Sequence, residues 1–283
     1  MTPHPLRRFD DLRKSPRVRK GVYVVPSLFT AANMGAGYFA IYQCILGVHG
    51  DFKHFDWAAI AIGFAAVFDF FDGMIARMTG TSSDFGKEFD SLADVITFGA
   101  APAVLAYMWG FRFIDAPMSN TDMQLKLVRA GAFFGFLFLV ASASRLARFN
   151  IAKDPQPSNP GKPGRKYFVG MPTPAGAGVI ASVVHFSSGE PIRIWWLAAI
   201  WGLLIFATGY LEVSTWRFPS LKGINWRKQQ PFTMMVGLAA LIAAIWLFSQ
   251  QVLFFIALAY MLSGVIARLA FAVRRNPQGV PAQ

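Results

Sequence analysis

Four aspartates stand in two neighbouring apolar stretches, where a carboxylate that faces lipid costs several kcal/mol. Asp69 and Asp72 are three residues apart, and Asp90 and Asp94 are four apart, so each pair shares one face of a helix. The short connection between the stretches makes their helices antiparallel neighbours and brings the carboxylates together. Because four like charges at close range need a compensating cation, and because no His or Cys lies near, the sequence predicts a site for hard divalent ions such as Mg²⁺, Mn²⁺ or Ca²⁺.

Small residues and one arginine accompany these acids. Gly73 lies in the first stretch, and Gly86 lies on the same helix face as the second pair of acids. Glycine lets a ligand or a neighbouring backbone approach closely, although small residues also serve helix packing in membranes, and Ala76 suits both roles. Arg77 suits a phosphate because its guanidinium donates two parallel hydrogen bonds; the alternative is that it extends to the membrane surface.

The composition indicates that these acids belong to a membrane protein. The 283 residues are 54% hydrophobic and 15% charged, whereas a soluble domain has about 45–50% apolar and about 25% charged residues. The apolar residues form blocks near the length of about 20 residues that crosses a bilayer as a helix. We predict an all-α polytopic membrane protein with about eight transmembrane helices, at residues 22–46, 57–78, 89–111, 127–148, 172–186, 194–213, 232–248 and 252–273.

The distribution of lysine and arginine orients these helices. With eight alternating spans, 22 of the 27 Lys and Arg residues fall on the side that holds both termini. That side is expected to be cytoplasmic. The net charge of +12 is then explained by a cytoplasmic face against anionic lipid, and no nucleic-acid partner is required. We therefore predict a multi-pass protein of the cytoplasmic (inner) membrane whose acidic site faces the cytoplasm.

The spacing of the acids and small residues resembles the complete signature of the CDP-alcohol phosphatidyltransferases. The matching positions are Asp69, Asp72, Gly73, Ala76, Arg77, Gly86, Asp90 and Asp94. The resemblance implies a homodimer in which the four carboxylates hold two divalent cations, Mg²⁺ or Mn²⁺, on the diphosphate of a CDP-linked lipid. It implies that Asp94 also deprotonates the acceptor hydroxyl and that Arg77 is a second catalytic residue. The residues implied to bind the CDP-linked lipid are Thr30, Asn33, Gly73, Ala76, Arg77, Ser83 and Gly86.

Two further segments bear on the acceptor alcohol. Residues 144–150 (Ser-Arg-Leu-Ala-Arg-Phe-Asn) and 169–175 (Val-Gly-Met-Pro-Thr-Pro-Ala) resemble the phosphatidylserine synthases within this family. The resemblance covers most of residues 20–215 and implies CDP-diacylglycerol and L-serine as substrates. The residues that we expect to bind the acceptor or a phosphate are Arg145, Arg148, Asn150, Arg165 and Lys166. The alternative for the arginines is an ordinary position at the cytoplasmic end of a helix.

The predicted organisation has four parts: a basic cytoplasmic tail (1–20), a catalytic six-helix transmembrane domain (21–215), two additional transmembrane helices (216–273) and a cytoplasmic C-terminal tail (274–283). Glu212, near the cytoplasmic end of the sixth span, is expected to pair with Arg217; the alternative is a functional role. Two alternative functions stay open. One is the same transfer to glycerol 3-phosphate, inositol phosphate or choline. The other is an ion-coupled transporter, which would place its acids near the bilayer midplane, in broken helices and often in inverted repeats.

Overall fold

A computed structural model describes residues 16–79, 84–115, 121–152, 156–159, 161, 167–220 and 231–275. These described residues are mostly helical, at 83%. In chain order the helices are α1 (Pro16–Gly47), α2 (Lys53–Thr79), α3 (Asp84–Asp94), α4 (Ala101–Phe111), α5 (Thr121–Ile151), α6 (Thr173–Phe186), α7 (Trp195–Val213) and α8 (Pro231–Arg275). A π-helical segment, Val95–Ala100, joins α3 to α4 without interruption.

Five of the described helices are long and apolar enough to cross a membrane. They are Lys53–Ile75, Phe85–Phe111, Asp122–Ile151, Trp195–Val213 and Met235–Val273, with Thr173–Phe186 as a shorter apolar helix. These lengths agree with a helical membrane protein, whereas the number of eight crossings and the orientation stay predictions. Helix α1 begins at Pro16, inside the segment predicted as a tail, because proline fits the first position of a helix.

The last two predicted spans are joined in one helical element, α8. A straight helix of its 45 residues would be about 68 Å long, more than twice the hydrocarbon thickness of about 30 Å. Phe248 interrupts it with non-helical dihedral angles, φ −138° and ψ 45°. The interruption lies at the end of the seventh predicted span, so α8 is divided into two lengths that each suit one crossing.

A two-stranded antiparallel sheet is present that the all-α prediction lacked. Strand β1 (Tyr167–Val169) precedes α6 and strand β2 (Arg217–Pro219) follows α7. Phe168 pairs with Phe218 at the centre of the register. The ring of Phe218 is fully buried and packs against Gly264 of α8, where a side chain would collide with it. The sheet therefore connects the ends of α6 and α7 to α8.

Hydrogen bonds connect α8 to α2 and α6 at the end of the helices that lies away from the acids. His185 Nδ1 of α6 lies 2.6 Å from Asp56 Oδ1 of α2, and His185 Nε2 lies 2.9 Å from Ser249 Oγ of α8. Gln250 Nε2 donates to Ser188 Oγ at 2.8 Å beside them. Asp56 and Asp69 are separated by 13 residues of one helix, or about 20 Å. This hydrogen-bonded chain is therefore remote from the acidic site.

Candidate active site

Three of the four predicted acids converge. One carboxylate oxygen from each of Asp69, Asp90 and Asp94 lies within 4.8 Å of the other two. Asp69 comes from α2, and the other two occupy successive turns of α3. The sequence spacing that placed Asp90 and Asp94 on one helix face is thus found in the fold.

The geometry of this group fits a hard divalent cation. Mg²⁺ binds oxygen at about 2.0–2.1 Å and Ca²⁺ at about 2.3–2.6 Å, so ligands on opposite sides of one ion are about 4–5 Å apart. The three carboxylate oxygens satisfy that limit. Three carboxylates this close repel one another unless a cation or protons compensate their charge. Asp69, Asp90 and Asp94 are therefore suited to hold one divalent ion with little rearrangement.

Asp94 is buried and is held by α1. The Nδ2 of Asn33 donates to Asp94 Oδ1 at 3.1 Å, and both side chains are shielded from solvent. Thr97 Oγ1 in the π segment donates to the backbone oxygen of Asn33, also at 3.1 Å. Thr30, one turn before Asn33 on α1, is buried as well. Thus the first span, which the resemblance assigned to the nucleotide pocket, reaches the predicted base itself.

Several other predicted residues lie near this group or outside the described part of the chain. Gly73 and Gly86 are half-buried, in α2 and α3 respectively. Asp72, Ala76 and Arg77 belong to α2, but their side chains are not among those described, and Ser83, Arg165 and Lys166 lie outside the described residues. Their roles in binding the metal, the nucleotide or the acceptor stay predictions.

A second buried polar cluster lies next to the acids. Arg145 of α5 is buried and lies within electrostatic range of both Asp94 and Glu212. Glu212 is fully buried, and its Oε2 accepts a hydrogen bond of 2.6 Å from Ser142 Oγ. The neighbours that the structure gives Glu212 are Ser142 and Arg145 and not the expected Arg217, whose guanidinium lies 5.6 Å from the centroid of the Tyr167 ring. The signal that the sequence offered for this cluster was an acid and an arginine, Glu212 and Arg145, near the ends of two apolar spans.

Arg148 and Asn150 connect the end of α5 to its neighbours. Arg148 donates to the carbonyl oxygens of Val213, at 2.9 Å, and Ser214, at 3.2 Å. These are carbonyls that the end of a helix leaves without intrahelical partners. Asn150 Nδ2 donates to Ser91 Oγ at 2.8 Å, on the turn next to Asp90. Asn150 therefore lies beside the acids, while Arg148 caps α7; their predicted contact with the acceptor stays a prediction.

The comparison with protein families agrees with this site. The family model of the CDP-alcohol phosphatidyltransferases matches residues 23–208, which include all of the predicted aspartates. The chain belongs to the CDP-alcohol phosphatidyltransferase family.

Similar proteins are found in distant organisms. The CDP-diacylglycerol–serine O-phosphatidyltransferase of Helicobacter pylori strain 26695 is 33% identical over 217 residues, covering 72% of this chain and 76% of that protein. The enzyme of the same name from Mycobacterium tuberculosis H37Rv is 31% identical over 270 residues, covering 92% and 82%. The one from Saccharomyces cerevisiae is 32% identical over 159 residues, covering 55% and 51%. The three relatives have the same activity by name.

Proposed function

We propose that this chain is a CDP-diacylglycerol–serine O-phosphatidyltransferase, which makes phosphatidylserine and CMP during phospholipid synthesis. The observation that carries the proposal is the group of three carboxylates within 4.8 Å of one another, with Asp94 buried beside Arg145. The family has this chemistry, and the relatives that match most of the chain act on serine by name. An ion-coupled transporter would instead place its acids near the bilayer midplane, in broken helices. Nothing in the described residues favours that arrangement over the carboxylate cluster.

Asp94 is the general base in this mechanism. Its carboxylate takes the proton of the serine hydroxyl while the hydroxyl oxygen attacks the phosphorus that carries diacylglycerol. The bond from that phosphorus to the CMP oxygen breaks, and CMP leaves with the electron pair. A positioned base contributes typically about 10²–10⁴ in rate, because an alcohol is a poor nucleophile while it keeps its proton. The hydrogen bond from Asn33 to Asp94 Oδ1 leaves the second carboxylate oxygen for this task.

The same acids would hold the divalent cations. Asp69, Asp90 and Asp94 would provide oxygen ligands for one ion, and Asp72 would complete the site for a second. When bound, Mg²⁺ or Mn²⁺ would neutralise the diphosphate and make its phosphorus more electrophilic. These aspartates orient the lipid diphosphate toward Asp94. They also keep the binding site on the helix faces that they share.

Arg145 is our candidate for the carboxylate of serine. It is buried, lies near the base and carries a planar guanidinium that matches a carboxylate. Arg145 is thus placed to hold the acceptor while its hydroxyl meets Asp94. Glycerol 3-phosphate and inositol phosphate would present a phosphate to the same group, and choline would present a cation that an arginine repels.

The membrane arrangement follows from the same proposal. We propose eight crossings with both termini in the cytoplasm of the inner membrane, so that the acids face soluble serine and the CDP headgroup of the lipid. The family resemblance further leads us to propose a homodimer. The support for the orientation is the excess of Lys and Arg on the predicted cytoplasmic side.

The acceptor assignment is tested with the purified full-length chain in mixed micelles with CDP-diacylglycerol. L-Serine, glycerol 3-phosphate, inositol 1-phosphate and choline are supplied one at a time with Mg²⁺ or Mn²⁺, and CMP release and the lipid product are measured. We expect CMP and phosphatidylserine with serine alone, and we expect a chelator to stop the reaction until excess cation is restored. CMP release with another acceptor but not with serine would show that the acceptor is wrong.

A further inference from the structure

We infer that Thr97 is a positioning residue for the catalytic base, and that it acts by holding Asn33 against Asp94. The inference rests on the proposed function, since it concerns the base of that reaction. Nothing in the sequence pattern singled out Thr97, which lies in the π segment three residues after Asp94. Its side chain is fully buried and reaches another helix.

Asn33 forms two hydrogen bonds with residues 94–97, one through its side chain and one through its backbone. Its side-chain Nδ2 donates to Asp94 Oδ1, and its backbone oxygen accepts from Thr97 Oγ1, each at 3.1 Å. The two points are on the same residue, so they fix both the position of its backbone and the direction of its amide. A threonine hydroxyl in a helix often bonds to a carbonyl of its own helix. Here the hydroxyl of Thr97 bonds across to α1 instead.

The close approach of α1 makes this grip possible. Gly37 lies one turn after Asn33, and a Cβ at Gly37 would lie 2.6 Å from Thr97 Oγ1 and 2.8 Å from Thr97 Cα. Any side chain at that position would push the two helices apart and separate the hydroxyl from the Asn33 carbonyl. Gly37 is therefore the residue that lets the π segment carrying Thr97 lie directly on α1.

The direction of the Asn33 amide matters for the chemistry. An ionised carboxylate only accepts hydrogen bonds, so Asn33 must present its NH₂ group to Asp94. The amide oxygen of Asn33 is buried and has no hydrogen-bond partner within the described part of the chain. Among the described residues, no hydrogen bond therefore holds the amide oxygen, and the direction of the amide depends on the backbone that Thr97 contacts. With Asp94 Oδ1 occupied in this way, the other oxygen is the one that would take the proton of the acceptor hydroxyl.

A positioning role and a nucleotide-binding role for Asn33 of α1 predict different kinetics. If Asn33 mainly bound the nucleotide, loosening it would weaken the affinity for CDP-diacylglycerol. If Asn33 positions the base, loosening it would lower kcat and leave that affinity unchanged, because an interaction used only in the transition state affects kcat. A misplacement of about 1 Å can cost about 10²-fold in rate.

The experiment compares Thr97→Val with Thr97→Ser in the full-length chain. Valine keeps the shape and removes the hydroxyl, whereas serine keeps the hydroxyl. We expect Thr97→Val to lower kcat with serine by about 10- to 100-fold, with the dissociation constant for CDP-diacylglycerol unchanged by equilibrium binding. Thr97→Ser should restore most of kcat. Thr208→Val is the matched control, because Thr208 is equally buried but donates to Leu204 O of its own helix at 2.8 Å, with a longer contact of 3.9 Å to Met261 Sδ of α8.

The outcomes separate the inference from the function on which it rests. If kcat of Thr97→Val stays within twofold of the wild type, or if binding of CDP-diacylglycerol is lost together with kcat, the positioning role is overturned. The same holds if Thr97→Ser is as slow as Thr97→Val, or if Thr208→Val is equally slow. If the wild-type chain itself releases no CMP with serine, the proposed function fails before the variants are compared.

Discussion

Gly176 of α6 and Glu212 of α7 are in direct contact in the second buried cluster. A Cβ at position 176 would overlap the Oε1 of Glu212, whose other oxygen is held by Ser142. Glu212 is fully buried, and moving it away from position 176 would disturb its hydrogen bond with Ser142. The missing side chain of Gly176 is thus what allows a carboxylate to lie between the helices next to Arg145.

Gly176→Ala is therefore expected to destabilise the protein, against the usual effect of this substitution. Alanine in place of a helical glycine normally stabilises by about 1 kcal/mol, but overpacking a core costs about 1–3 kcal/mol. We expect the midpoint of thermal unfolding in detergent to fall. Gly178→Ala is the control, because Gly178 lies in the same helix with nothing within 4 Å of its Cβ position. A midpoint that rises for both variants would show that position 176 has room.

For individual residues, the sequence predicted that acids would lie close together, but it did not predict their hydrogen-bond partners. The spacing of Asp90 and Asp94 is a local property of one helix, so their common face was predictable. The contact from Asn33 to Asp94 joins residues 61 positions apart, and that from Ser142 to Glu212 joins residues 70 positions apart. Contacts of this kind depend on how the helices pack, which the composition of each helix does not determine.

Among the helices, His185 contributes to the connection of α8 to the rest of the protein. Its two ring nitrogens contact Asp56 on α2 and Ser249 on α8, so one side chain joins three helices. Ser249 follows the interruption at Phe248 directly. The hydrogen bond therefore fixes α8 at the point where its regular helix geometry is lost.

Ser249→Ala is expected to loosen α8 while sparing the active site. Removing the hydroxyl leaves a buried imidazole nitrogen without its partner, which costs about 1–3 kcal/mol. Hydrogen exchange should become faster in residues 249–275, and kcat with serine should be unchanged because Asp56 lies far from Asp69 along α2. In the control Ser263→Ala, the lost hydroxyl bonds only within its own helix, to Tyr260 O. Equal exchange rates in Ser249→Ala and the wild type would contradict the anchoring role.

Long apolar helices were predictable from the sequence, and short or irregular elements were not. The eight predicted blocks all lie in helical segments, because about 20 consecutive apolar residues leave few alternatives to a helix in lipid. They do not match the helices one to one, since the block at 89–111 covers part of α3, the π segment and α4, and the last two blocks share α8. The strands β1 and β2 have three residues each, too few to show an alternating pattern. The π segment after Asp94 is likewise invisible in sequence, since one extra residue in a turn leaves no compositional trace.

For the molecule as a whole, the surface agrees with a membrane setting. Large apolar side chains are exposed along the helices, among them Trp246 of α8, at 87% exposure. In the apolar helix Met235–Val273, only 11% of the most apolar stretch of residues is buried within the protein. Such a surface needs lipid or another protein to cover it, because monomeric soluble proteins rarely expose apolar patches of this extent.

The position of the acids in the whole molecule links topology to chemistry. Asp69 lies in the second half of α2, and Asp90 and Asp94 lie in the first half of the continuous helical stretch from Asp84 to Phe111. In a chain that alternates across the membrane, these positions fall at the same side, where the excess of Lys and Arg predicts the cytoplasm. A soluble acceptor and a lipid headgroup would meet at that side.

The most direct test of the account is the turnover of Asp94→Asn, measured as serine-dependent CMP release by the purified full-length chain with Mg²⁺ or Mn²⁺. Asparagine keeps the shape of the side chain but cannot take the proton of the acceptor hydroxyl. We expect kcat to fall by about 10²–10⁴-fold while CDP-diacylglycerol still binds. Asp51→Asn, the same change at an exposed loop residue, should leave kcat unaltered. Turnover of Asp94→Asn within tenfold of the wild type would contradict the assignment of this carboxylate cluster as the active site.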